Sequence, residues 1–152
     1  MVTTLKLKAI LFGMLFFACA SCAQNQSEPE KKHYDSSLVK GSFVVAPREF
    51  TNSVFSVPSR CSGVRMDGRF TASGGAFNDI EVYLLDEDGY VNFKNHNQAS
   101  TYYNSGRVTQ ATVDVALPDR AGSYYLVFNN RFSFLSNKAI TADISLHFVC
   151  SK

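Results

Sequence analysis

Hydrophobic residues along most of this chain recur at every second position. Between Val64 and Ser73 the apolar Val64, Met66, Phe70 and Ala72 alternate with Arg65, Asp67, Arg69, Thr71 and Ser73, and Gly68 sits on the apolar parity. Period two marks a strand with one face in a core and one in water, because successive side chains leave a pleated backbone on opposite sides. The pattern repeats in Ile80, Val82 and Leu84 against Glu81, Tyr83 and Leu85, and in Ala111, Val113, Val115 and Leu117 against Thr112 and Asp114. Tyr124, Leu126 and Phe128 alternate with Tyr125 and Val127. The longest run sets Ile140, Ala142, Ile144, Leu146, Phe148 and Cys150 against Thr141, Asp143, Ser145 and His147. Two earlier strands are expected at about 42–46 and 49–57.

Turn chemistry separates these runs. Asp86-Glu87-Asp88-Gly89 predicts a turn whose glycine takes positive φ, and Pro118-Asp119-Arg120-Ala121-Gly122 stops the strand before it. No stretch after Leu38 keeps apolar residues at helical spacing for more than a turn or two, so crossover helices are not expected. Seven or eight strands of this kind predict an all-β, antiparallel β-sandwich of jelly-roll-like build.

The amino-terminal segment follows another rule. Lys6 and Lys8 precede the apolar run AILFGMLFFACA at 9–20, and the chain then turns polar at Gln24. A charged start, an apolar run too short to span a bilayer and a small-residue exit describe an export signal, assigned to 1–22. Two processing routes stay open. A general signal peptidase fits Ala18-Cys19-Ala20 or Ser21-Cys22-Ala23, whereas a lipoprotein peptidase would leave a lipidated cysteine, Cys22 ahead of Cys19. Residues 23–37 (AQNQSEPEKKHYDSS) are almost free of aliphatics and predict a flexible tether, leaving 38–152 as one domain. The expected location is outside the cytoplasm, in a bacterial envelope as a lipoprotein or periplasmic protein, or secreted. In a eukaryotic secretory setting Asn25-Gln26-Ser27 would be a glycosylation sequon.

The signal changes the charge argument. The whole chain has 15 Lys and Arg against 13 Asp and Glu, and without Lys6 and Lys8 the two sides balance at 13. A near-neutral mature chain offers no field for nucleic acid or an anionic membrane, so the only membrane link expected is a lipid anchor. Cys61 and Cys150 remain in the folded part, and in an exported protein they predict a disulfide.

Candidate chemistry is sparse. His33, His96 and His147 have no second His or Cys at i+2 or i+4, and no nucleophile, zinc or phosphate-loop motif occurs. An enzyme is not expected, and neither is a cofactor. Asp79, Asp86, Glu87 and Asp88 form a weak calcium candidate, since hard cations want several oxygens. The stretch YVNFKNHNQASTYY at 90–103 places Tyr90, Phe93, His96, Tyr102 and Tyr103 among Asn, Gln, Ser and Thr, a composition suited to adaptable contacts. These five are the candidate ligand-binding residues. The competing reading is a hairpin loop whose aromatics tuck onto a sheet.

Gly122-Ser123-Tyr124-Tyr125-Leu126-Val127-Phe128-Asn129-Asn130-Arg131-Phe132-Ser133, with Lys138 ahead of an alternating last strand, resembles the carboxyl-terminal part of the GOLD domain family. There a G-x-Y-x-L-x-F-x-N-x-[YF]-S run ends one strand and a lysine precedes the next. Asn130, Phe132-Ser133 and Lys138 match those positions, and Gly41-Ser42 and Asn78-Asp79-Ile80 resemble earlier strand starts. The resemblance covers about 40–148, with its specific part in the last thirty residues, and the tryptophan common in that family is missing here. The segment from Asn78 to Leu84, with Gly122-Ser123-Tyr124-Tyr125, is also similar to the small β-sandwich domains that follow bacterial secreted peptidases. Both resemblances imply a non-catalytic sandwich. The first implies an interaction module with a protein partner; the alternative expectation is a glycan-binding or substrate-targeting module using Tyr90, Tyr102 and Tyr103. Asn129-Asn130 is expected to shape a turn, with Phe132 and Phe134 folding back over the open end of the sandwich.

Overall fold

A computed structural model describes residues 30–152. The expected export signal, the lipidation candidates Cys19 and Cys22 and the first part of the expected tether lie outside the described residues. Among those described, eight strands and one short helix follow in the order β1 (Lys31–Val45), β2 (Phe50–Val57), β3 (Cys61–Ser73), β4 (Ile80–Asp86), α1 (Glu87–Lys94), β5 (Tyr103–Val108), β6 (Gln110–Ala116), β7 (Gly122–Asn129) and β8 (Lys138–Ser151).

The topology is that of a ribbon folded on itself. β1 pairs with β8, β2 with β7, β3 with β6 and β4 with β5, all antiparallel, so the first half of the chain runs alongside the second. Rolling this ribbon adds the pairs β3 with β8 and β4 with β7 and gives two sheets, β1-β8-β3-β6 and β2-β7-β4-β5. That is the jelly-roll form of the expected antiparallel β-sandwich. Its core is the inward parity read above: Val64, Met66, Phe70, Ile80, Val82, Leu84, Leu126, Phe128, Ile140 and Ile144 are all buried between the sheets. Each fully buried side chain of this size contributes about 1.5–3 kcal/mol.

Three local readings are corrected. First, 86–89 is no hairpin turn. Asp86 caps α1 by accepting at Oδ1 from Gly89 N at 2.9 Å, with Glu87 and Asp88 in the positive first turn and Lys94 in the last. Gly89 is there for space, not for positive φ: a Cβ on it would meet the Ser100 carbonyl at 2.6 Å. Second, Leu85 and Val127, on the outward parity, are buried, because α1 packs against β4 and β7. Third, residues 31–37 of the expected tether belong to β1 and pair with 145–151 of β8. β8 is long enough to template them, and Tyr34 stacks on Phe148 with ring centroids 5.2 Å apart.

The expected disulfide is present. Cys61 and Cys150 lie directly opposite each other on β3 and β8 and join residues 89 apart. A disulfide of this kind fits an oxidising, exported environment.

Candidate functional site

Alternation of strand direction gathers the β1–β2, β3–β4, β5–β6 and β7–β8 connections at one end of the sandwich. β1 enters at the other end. At about 3.3 Å per residue, its 15 residues put roughly 45–50 Å between the two ends.

The loop end is built on buried polar residues. Asn130 is fully buried, and its Nδ2 donates to the carbonyls of Val45 (3.1 Å), Ala46 (3.0 Å) and Ser136 (2.9 Å). Its backbone carbonyl accepts from Arg48 N and Ser133 N, so one residue joins the β1–β2 and β7–β8 connections. Arg48 takes φ 63 to do this, a left-handed conformation that costs an L residue of its type energy. Lys138, also buried, donates from Nζ to Asp79 Oδ1 (2.7 Å) and to the Gly74 carbonyl (2.9 Å), tying the β3–β4 loop to the start of β8. Gly74 permits this approach, since a Cβ there would lie 2.4 Å from the Asn137 carbonyl.

Asp79 has a second cation. Arg107 Nε and Nη2 donate to its Oδ2 at 3.0 and 2.7 Å. Burial alone would raise the Asp79 carboxyl, but the hydrogen bonds and charges of Lys138 and Arg107 outweigh it and hold the pKa below the ordinary carboxylate range. The Arg107 guanidinium also lies over the Phe132 ring at 4.0 Å.

On this braced base stand three exposed apolar side chains. Phe77 of the β3–β4 loop is 73% exposed, and Phe134 and Leu135 of the β7–β8 loop are 69% and 92% exposed. A cleft of about 260 Å³ runs between the two loops, walled by Phe77, Phe132, Phe134 and Leu135 with Asp79, Arg107 and Lys138 at its base. A second hollow on the other side of Phe77 is lined by Phe77, Asp79, Arg107 and Thr109. Of the expected lid, Phe132 folds back over the end of the sandwich and Phe134 does not; its ring stands outward beneath the Arg48 guanidinium at 4.6 Å.

The five residues expected at a binding site lie elsewhere, on α1, the segment after it and β5. Tyr90 stacks flat on Tyr125 at 3.9 Å, with the Lys94 ammonium over its ring at 5.5 Å. Phe93 packs edge-on to Phe50 and tilted to Tyr83. The Arg131 guanidinium lies 4.5 Å from the Phe50 ring and 4.7 Å from that of Phe93, and its Nη1 donates to the Phe93 carbonyl at 2.9 Å. Tyr102 packs against Tyr124, and its hydroxyl donates to Asp86 and accepts from Arg120 at 2.6 Å. Tyr103, half-buried in β5, donates to the Thr112 carbonyl. Burial raises the hydroxyl pKa of Tyr90, Tyr102 and Tyr103, the first of these also feeling Tyr125 and the second Asp86. Tyr83, buried beside Glu81, is pushed up to about 12. His96 is exposed with φ 60, where it ends α1. These aromatics hold a helix onto a sheet and present no row of open ring faces.

Two of the calcium candidates are likewise engaged, while Glu87 and Asp88 lie in the first turn of α1. Asp79 holds two cations, and Asp86 caps α1 and pairs with Arg120 at 2.9 Å. Among the described residues no group of three His, Cys, Asp or Glu is arranged to hold a metal.

Phe77, Leu135 and Arg107 are not singled out by the pattern of the sequence, and Phe134 is read there only as part of a lid. Their signal was present: FSFL and GGAF place large apolar residues in loops, where a soluble turn has no packing reason for them. Compared with known proteins, the chain matches no family model and no curated sequence.

Proposed function

We propose that this protein is an exported, non-enzymatic β-sandwich interaction module that binds a protein partner in the cell envelope through its loop end. The observation that carries the reading is the exposure of Phe77, Phe134 and Leu135 on loops fixed by Asn130, Lys138 and Asp79. Exposed apolar residues on a rigid, polar-braced frame keep their hydrophobic contribution for association, because little ordering entropy is lost when they dock. The geometry of the ends supports the same reading. A chain held at a membrane by its amino-terminal segment, through a lipidated Cys22 or Cys19, would present the loop end away from that membrane, towards a partner.

The test is capture from an envelope extract by the parent protein and by a Phe134→Ser/Leu135→Ser variant. Both side chains are exposed, so the variant keeps its fold. A protein held by the parent and lost by the variant supports the reading. Equal capture by both places the site elsewhere, and capture of polysaccharide alone turns the assignment to a glycan module.

A further inference from the structure

The charges at the loop end are unequal, and the inequality says what kind of segment would dock. Asp79 is the one acidic residue lining the cleft, and it faces two cations, Lys138 and Arg107. Lys138 is buried, hydrogen-bonded to Asp79 and the Gly74 carbonyl with its ammonium 5.8 Å from the Phe132 ring, and Asp79 is its one carboxylate partner among the described residues, so Asp79 already balances it. The Arg107 charge is therefore left over. Its Nε and Nη2 edge is taken by Asp79, one face of the guanidinium lies on the Phe132 ring, and the Nη1 edge is bound to nothing among the described residues. Arg107 lines the hollows on both sides of Phe77, so this edge is reached from the same surface as the apolar walls. Arg48, over Phe134, adds a second positive charge at the rim and has no carboxylate partner among the described residues.

Resting on the reading of the loop end as a protein-docking surface, we infer that it selects a segment bearing a carboxylate next to a large apolar side chain. The apolar side chain enters between Phe77 and Phe134-Leu135, and the carboxylate accepts from Arg107 Nη1. Guanidinium donors held in a fixed plane by ring stacking and an existing ion pair recognise a carboxylate with little further loss of freedom. An amide in the same place could still accept through its oxygen but would lose the charge–charge attraction. An anionic lipid surface is the competing occupant. It is disfavoured by the cleft between the loops, which suits an inserted side chain, and by the distance of this end from the chain's amino-terminal entry.

The experiment titrates the disulfide-bonded, isotope-labelled protein with two capped peptides, acetyl-Gly-Asp-Phe-Leu-Gly-amide and its Asp→Asn counterpart, following amide shifts. The acidic peptide should move Phe77, Arg107, Phe134 and Leu135. It should bind roughly fivefold tighter than the amide form, as an exposed ion pair supplies. Arg107→Gln should remove that preference while leaving weak apolar binding, and Phe134→Ser/Leu135→Ser should remove both. Equal binding of the two peptides, or shifts confined to other surfaces, overturns the inference. If neither peptide binds while the parent still captures an envelope protein that the loop variant loses, the docking surface stands and the carboxylate selection falls. Binding to phosphatidylglycerol vesicles in place of the acidic peptide overturns both.

Discussion

At the scale of single residues the loop end depends on groups that are polar and nearly out of water. Breaking a buried pair by removing one partner leaves the other charge uncompensated, at a cost of about 3–5 kcal/mol. Asp79→Asn should therefore lower the unfolding free energy by about 3 kcal/mol, because it strands the Lys138 ammonium. Arg107→Gln, which removes the exposed partner, should cost under about 1 kcal/mol. Urea denaturation of the two variants checks this, and equal losses would transfer the structural role to Arg107. The pH dependence has a fixed sign. The folded Asp79 pKa lies below its unfolded value, so its contribution is present above about pH 4 and is lost as pH falls through the folded value. Asn130→Ala, which leaves three carbonyls short of a donor, that of Val45 buried and those of Ala46 and Ser136 partly so, should cost about 2 kcal/mol. Both Asn130 and Lys138 were legible in the sequence as positions in a motif. Their partners were not, because Val45, Gly74 and Asp79 come from loops distant in sequence that only the rolled ribbon brings together.

At the scale of elements, what alternation can reveal is the two-sided strands, and seven of the eight are expected from the sequence, β1 only in its last part. β5 was hidden because YNSGRV has almost no inward apolar residues, and α1 because eight residues containing a glycine carry no helical stripe. The signal for α1 lay in the strands beneath it: Tyr83, Leu85, Tyr125 and Val127 are apolar or aromatic at positions that should face water, which calls for a third layer. Asp86→Ala removes its cap and should cost about 1 kcal/mol. The same change frees Arg120 and Tyr102, so the segment between α1 and β5 should show faster amide exchange than in the parent. β1 was under-read because its first seven residues are polar. They are held by β8 on one edge and by His147, whose Nδ1 meets Asp35 of β1 at 2.5 Å while Nε2 lies 3.3 Å from Asp67 of β3. The Asp35 hydrogen bond, opposed by partial burial and helped by Asp67, raises the His147 pKa. Its contribution is thus complete below the unfolded value of about 6.5 and is lost as pH rises through the higher folded value. The melting difference between the parent and Asp35→Asn should accordingly shrink as pH rises above about 6.5; a difference independent of pH would mean His147 is not the titrating group.

At the scale of the whole molecule the two ends of the sandwich are secured by different means, and this separates stability from binding. The loop end relies on Asn130 and the Asp79–Lys138 pair, whereas the end where the chain enters relies on the Cys61–Cys150 bond between β3 and β8 and on the pairing of 31–37 with 145–151. Because the bridge closes a loop of 89 residues, the chain-entropy account gives it about 4–5 kcal/mol. A Cys61→Ser/Cys150→Ser variant should therefore lose about that much unfolding free energy. Its local effect should be concentrated at the entry end: the amides of 31–37 and 147–151 should exchange faster, since β1 there has one paired edge and few buried side chains. Asn130, Lys138 and the core of β7 should keep their relative protection, and at temperatures where the variant stays folded it should capture the same partner as the parent. Loss of capture by a folded variant would show that the entry end and the loop end are coupled.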